Sequence, residues 1–128
     1  MTTHCIKTRM LHDNCCTIVP YFDVPDDKLD QFKALLPAMV EQTKQESLCM
    51  FYGFTIHENT VHCREGYENA EGVLNHIEKI GPLLEQALSI SELIRLEIHG
   101  PAEELEKLQE PLAELNPSYY TIELGFRR

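Results

Sequence analysis

Tryptophan is absent from this 128-residue sequence, and basic side chains are few, 11 against 21 acidic ones for a net charge of −10. A field of that sign repels phosphate backbones and anionic membrane surfaces, so neither nucleic acid nor membrane is an expected partner. No apolar run is long enough to span a bilayer. Met1 to Asn14 carry polar and charged residues throughout, with no signal-peptide apolar core, and a cytoplasmic location is expected. No glycine-rich phosphate loop, Ser-His-Asp order or basic aromatic patch occurs, which leaves nucleotide chemistry without a motif. Cysteines stand at 5, 15, 16, 49 and 63. Their odd number and the lack of a Cys-x-x-Cys pair give no disulfide framework, and reduced thiols are expected.

What is present suits one domain. The length allows a single core that buries roughly two-thirds of the unfolded surface. Residues 1–14 lack periodicity and read as a flexible leader, with a single domain over 15–128. Cys16 to Val24 is rich in β-branched and aromatic residues and reads as a strand. Pro20 inside it argues for an edge position or a bulge. Pro25-Asp26-Asp27 opens a helix whose apolar stripe runs through Leu29, Phe32, Leu36, Met39, Val40 and Thr43, and Pro37 is expected to kink or divide it.

Leu48 to His57 and Thr60 to Tyr67 flank Glu58-Asn59, a two-residue hairpin link. Paired positions then sum to 117. Met50 faces Tyr67, Tyr52 faces Glu65, Phe54 faces Cys63 and Ile56 faces Val61. That face is apolar apart from Glu65, and a slip of one residue would scramble it. Asn69 caps a helix carrying Ala70, Val73, Leu74, Ile77 and Ile80, which Gly81-Pro82 is expected to break before a further turn or two to Leu88. A strand over 93–99, a helix over 101–115 and a last strand over 118–126 follow. The order is a ferredoxin-like α+β plan, a split βαβ with one extra α-β unit. Its helices cover one sheet face, so the other calls for a partner, and a homodimer packed sheet against sheet is expected.

Arg64-Glu-Gly-Tyr-Glu-Asn-Ala-Glu-Gly-Val-Leu-Asn-His76 resembles a motif of the antibiotic-biosynthesis-monooxygenase family of dimeric α/β barrels. There a strand ending in Glu-x-aromatic runs into a helix bearing an alanine, a leucine and a histidine. Glu65, Tyr67, Ala70, Leu74 and His76 fall on those positions, and the element order over residues 16–126 fits as well. The resemblance implies a dimeric barrel whose last strand reaches across the dimer. It also implies a choice among cofactor-free quinol or anthrone oxygenases, haem-degrading enzymes and proteins with no assigned activity. Haem-degrading members rely on tryptophan where this chain has Tyr67, which turns the reading away from haem.

Glu65 and His76 are the candidate catalytic pair, and Tyr52, Tyr67 and Phe54 the candidate substrate-binding residues. Burial of Glu65 among Tyr52, Cys63 and Tyr67 raises its pKa, which suits a base for a phenol near neutral pH. The same burial also suits an acid merely tied to Tyr52, His76 or a backbone amide. His76, on the helix face of Val73, Ile77 and Ile80, is either a base, an orienting group for Glu65, or a satisfied core histidine. Tyr119 and Tyr120 read as core or interface. His57 and His62 lack a third ligand, so no metal is expected. Cys63 beside an acid is a poor nucleophile. Two functions stand open. One is a cofactor-independent monooxygenase acting on a small aromatic, which needs a pocket of a few hundred cubic ångströms. The other is a non-catalytic dimer that binds a small hydrophobic ligand or a protein.

Overall fold

A computed structural model describes residues 13–128. The expected leader over 1–14 therefore lies outside the described residues, save Asp13 and Asn14. The elements are β1 (Cys16–Asp23), α1 (Leu29–Lys44), β2 (Cys49–His57), β3 (Thr60–Tyr67), α2 (Ala70–Leu88), β4 (Glu92–Gly100), α3 (Ala102–Gln109) and β5 (Ser118–Thr121). They form an α+β fold around one sheet of order β2-β3-β1-β4-β5, antiparallel except for the parallel β4–β5 pair. This is the ferredoxin-like plan with its appended α-β unit. Along β1 every second residue, Cys16, Ile18, Pro20 and Phe22, is buried, the period-two signature of one covered face.

Pro20 does not mark an edge. β1 lies in the middle of the sheet, between β3 and β4. The proline is absorbed by irregularity instead: pairing toward β3 skips Val19 and Pro20, and pairing toward β4 shifts register between Tyr21 and Phe22. A residue without an N–H is tolerated there because the ladder is already broken. In the hairpin, Tyr52 opposes Glu65, Phe54 opposes Cys63 and Ile56 opposes Val61 as the sum of 117 requires. At the far end a shift between Cys49 and Phe51 sets Cys49, not Met50, opposite Tyr67. Glu58 takes the positive φ of the turn, at 52°. Asn59 instead ties the turn down, donating to the Val24 carbonyl at 2.8 Å and to Asp26 at 2.7 Å.

Neither Pro37 nor Pro82 breaks its helix; α1 and α2 run through them. Both prolines and the residues four positions earlier, Lys33 and Glu78, are exposed, so water can satisfy the carbonyls left without a donor. The apolar stripes continue past both, with Met39 and Thr43 buried beyond Pro37 and Ala87 beyond Pro82. Packing on both sides outweighs the proline cost. Pro111 is different. With no N–H on this proline to extend the ladder, α3 stops at Gln109, and only a 3-10 turn at Ala113–Leu115 follows where a helix to 115 was expected, with Leu112 and Leu115 still reaching the core. β5 likewise ends at Thr121 rather than 126.

The seat of α2 is set by three contacts. Asn69 caps it by accepting the Gly72 N–H at 2.9 Å, and the buried Glu104 of α3 accepts the Ala70 N–H at 2.9 Å. At Gly72 a Cβ would lie 3.0 Å from Leu48 Cβ and 3.1 Å from Tyr67 Cβ, so the missing side chain lets the helix press close to the start of the hairpin. Asn69→Ala should cost about 1 kcal/mol of unfolding free energy in urea denaturation; a loss below a few tenths would mean that Glu104 and packing alone hold this end.

Candidate active site

The close seat of α2 brings His76, buried at 3% exposure, over the core face of β3. Glu65 stands on that face because the hairpin register sets it opposite Tyr52. Its carboxyl is buried at 4% exposure, and the Tyr67 hydroxyl donates to Oε1 at 2.6 Å. His76 Nε2 lies 3.4 Å from the same oxygen. On the other side of the imidazole, Nδ1 lies 3.0 Å from Oε1 and 3.3 Å from Oε2 of Glu46, itself buried. With its proton on Nδ1 the ring donates to Glu46 and turns the Nε2 lone pair toward Glu65. Two carboxyl groups thus flank one imidazole away from water.

Burial sets the electrostatics. It pushes the Glu65 carboxyl up to about 7; donors on Tyr67 and Cys63 pull the other way, and the nearby Glu46 adds to the rise. Burial also holds His76 below the usual imidazole range, against the pull of Glu46. Tyr67 and Tyr52 are held protonated, first by burial and then by nearby acid groups, foremost Glu65 for Tyr67 and Cys63 for Tyr52. Burial and the Glu65 charge push the Cys63 thiol up in the same way, so it is no thiolate nucleophile. Near neutral pH the cluster contains a neutral imidazole and a carboxyl close to half-protonation, a pair able to trade a proton.

A cavity opens beside this cluster. Tyr52, Cys63, Glu65 and His76 form its polar end, with Phe54 also on its wall, and the rest is apolar, including Ile18, Phe22, Ile80, Leu96 and Ile98. Its volume is about 60 Å³. That is far short of the few hundred expected, and of the roughly 150 Å³ that holds a benzene ring. Side chains from both core clusters converge here and fill what the topology leaves open.

Four of the five expected residues, Glu65, His76, Tyr52 and Phe54, meet on the cavity wall. Tyr67 does not line it. It is fully buried behind Glu65 and serves as the carboxyl's hydrogen-bond donor. Glu46 was not foreseen. It sits two residues past α1 in the polar run Lys44-Gln-Glu-Ser47, where nothing distinguishes it from a solvated loop. His57 and His62 lie on the opposite sheet face; His62 meets Thr55 at 3.3 Å and His57 is open to solvent beside Glu58. Among the described residues no group of three His, Cys, Asp or Glu side chains is placed to hold a metal. The four cysteines there, at 15, 16, 49 and 63, are unpaired, and among the same described residues no helix is long and apolar enough to cross a membrane.

No family model and no curated protein matches the chain. Among solved structures, MupZ from Pseudomonas fluorescens shares 40% sequence identity with a TM-score of 0.86, over 90% of this chain and 95% of that one. The chain belongs to one family with MupZ. Its fold is that of the antibiotic biosynthesis monooxygenases. One such structure aligns at a TM-score of 0.58 and 16% identity, over 65% of this chain and 92% of its own. A candidate member from Nitrosomonas europaea aligns at 0.64 and 16%, over 71% and 93%. Within this MupZ family fold, the buried Glu65 carries a sign that thermodynamics can read. Its pKa is higher folded than unfolded, so the native state binds more protons between about 4.5 and about 7 and loses stability as pH rises through that window. Glu65→Gln keeps an acceptor for Tyr67 but cannot ionise. Its stability relative to the unaltered protein should climb from pH 4.5 to 7.5 in urea titrations, His76 being common to both. A difference that stays flat with pH would show that Glu65 is not a carboxyl held against ionisation.

Proposed function

We propose that this chain is an acid–base enzyme in which Glu65 and His76 move a proton of a small, mostly apolar substrate carrying an ionisable hydroxyl. The overall reaction in this reading is cofactor-independent oxygenation of a quinol- or anthrone-type aromatic. One observation carries the proton-transfer step: the buried Glu65 carboxyl and His76 imidazole face each other, Oε1 to Nε2 at 3.4 Å, at the polar end of an apolar cavity. Burial there raises the carboxyl to about 7 and holds the imidazole below its usual range. The oxygenation step rests on the fold shared with the antibiotic biosynthesis monooxygenases.

In outline, Glu65 as carboxylate takes the substrate hydroxyl proton and shares it with Nε2 of His76, which Glu46 holds in position. The electron-rich anion then reduces dioxygen at a ring carbon, forming one carbon–oxygen bond. The peroxide anion takes the proton back from the Glu65–His76 pair, and the hydroperoxide so formed loses water and leaves a carbonyl. One oxygen atom stays in the product, and the other departs in the water. Tyr52 and Phe54 hold the ring, and the apolar walls keep water from the anion.

The second reading, a dimer that binds a hydrophobic ligand or protein without turnover, has an observation of its own. Glu65 and His76 both have partners at rest, and the cavity as it stands admits no ring. Oxygen uptake with a panel of quinols and anthrones separates the two. The enzyme reading expects kcat/KM to rise through about pH 7, where Glu65 ionises, and to fall by about 10²–10⁴ in Glu65→Gln with the fold retained. Ligand binding without uptake at any pH would favour the second reading.

Both readings include a homodimer. The sheet face away from the helices carries Phe51 over Gly66, Tyr21 against His62, and His99 stacked on Tyr120 at 4.6 Å. Beyond β5, Ile122, Leu124 and Phe126 are exposed at alternate positions, Leu124 at 76% and Phe126 at 72%. Light scattering should give twice the 14.8 kDa chain mass, and Leu124→Asp with Phe126→Asp should shift it toward the monomer. A monomeric unaltered protein would contradict the dimer.

A further inference from the structure

A second recess lies on the other side of Tyr52. It runs between the C-terminal half of α1 and β2, the edge strand of the sheet, and has a volume of about 370 Å³. Val40, Thr43, Lys44, Cys49, Met50 and Tyr52 line it. Tyr52 is common to this groove and to the inner cavity, and its ring is braced within the core by an edge-to-face contact with Phe54 and a tilted one with His76, each at 5.3 Å. Thr43 supplies the second observation. Its hydroxyl is buried, the side chain only 1% exposed, yet the oxygen has no hydrogen-bond partner, although the Tyr52 phenol is a polar neighbour. A buried hydroxyl left unsatisfied costs free energy, which a ligand group could recover once a neighbour moves and uncovers it. Lys44 at the groove pairs with no carboxylate among the described residues. It is an available cation on a chain of net charge −10.

We propose that the groove between α1 and β2 is the outer half of the ligand site, and that Tyr52 is the wall that turns aside to join it to the inner cavity. The joined space falls within the roughly 300–1,000 Å³ typical of small-molecule sites, which neither the inner cavity alone nor a single aromatic ring would suggest. The ligand is then an elongated, mostly apolar molecule longer than one ring. Its ionisable hydroxyl sits at Glu65, an assignment that rests on the acid–base reading above; its body passes Tyr52 and Thr43; and an anionic group at its far end meets Lys44.

The probe is 6-hydroxy-2-naphthoate, with 2-naphthol, which lacks the carboxylate, as its control. Methyl NMR on the full chain should show shifts at Val40, Thr43 and Met50 as well as at Ile98 on the inner wall. Val40→Trp adds bulk at a position already 40% exposed, so it should preserve folding while weakening binding at least tenfold. Lys44→Gln should weaken the naphthoate about two- to fivefold and leave 2-naphthol unchanged. No shift at Val40 and Met50 with either probe, or unchanged affinity in Val40→Trp, would overturn the groove. Shifts there, with no oxygen uptake from any of the quinols and anthrones, would retain the groove and count against the oxygenase reading alone, so the two failures can be told apart.

Discussion

A carboxyl group enclosed on all sides must either find donors for its charge or keep its proton, and Glu65 lies between these two solutions. The Tyr67 hydroxyl at 2.6 Å stabilises the carboxylate, while burial and the second acid Glu46 oppose it. The imidazole of His76 is wedged between the two acids and is itself held neutral by burial. Most features of this end of the molecule serve that arrangement. The hairpin turns Glu65 inward, Gly72 lets α2 approach, and Glu104 on α3 holds the first turn of α2, one helical turn and a half before His76.

The balance also explains why a small cavity beside the cluster carries chemical meaning. A few waters at most fit into about 60 Å³, so little solvent is present to damp the interaction between the groups or to quench an anion formed there. Water is limited there because aliphatic side chains from β1, β4 and α2 close around it. The same closure demands that a side chain yield before anything larger enters, and Tyr52, with a recess behind it, is placed to do so.

The inward direction of Glu65 was legible in the sequence because strand periodicity is strict: once Ile56, Phe54 and Tyr52 share a face, Glu65 must share it too. The cap at Asn69 and the inward face of His76 followed from equally local rules. What escaped depends on contacts distant in the chain. Glu46 reads as a solvated loop until α2 delivers His76 to it. Tyr67 reads as a pocket wall until the bulge at Cys49–Phe51 and the approach of α2 bury it behind Glu65. Pro37 and Pro82 carry a breaking signal that long apolar stripes override, whereas Pro111 does end its helix, and Leu112 and Leu115 reach the core just before and within the 3-10 turn that follows. Pro20 sits in the middle of the sheet because pairing on both sides had already given way there. The volume between sheet and helices was overestimated for a related reason, since the elements fix a framework but side-chain packing decides how much space remains.

All of this turns on the protonation of one side chain, which can be observed without knowing the substrate. A carbon-13 NMR titration of the Glu65 carboxyl in the intact protein, read together with the nitrogen-15 signals of His76, measures it directly. The expected result is a Glu65 midpoint near 7, with His76 neutral and protonated at Nδ1 over the same range. A midpoint at the ordinary glutamate value of about 4.3, beside a cationic His76, would contradict it and leave the pair a simple buried ion pair.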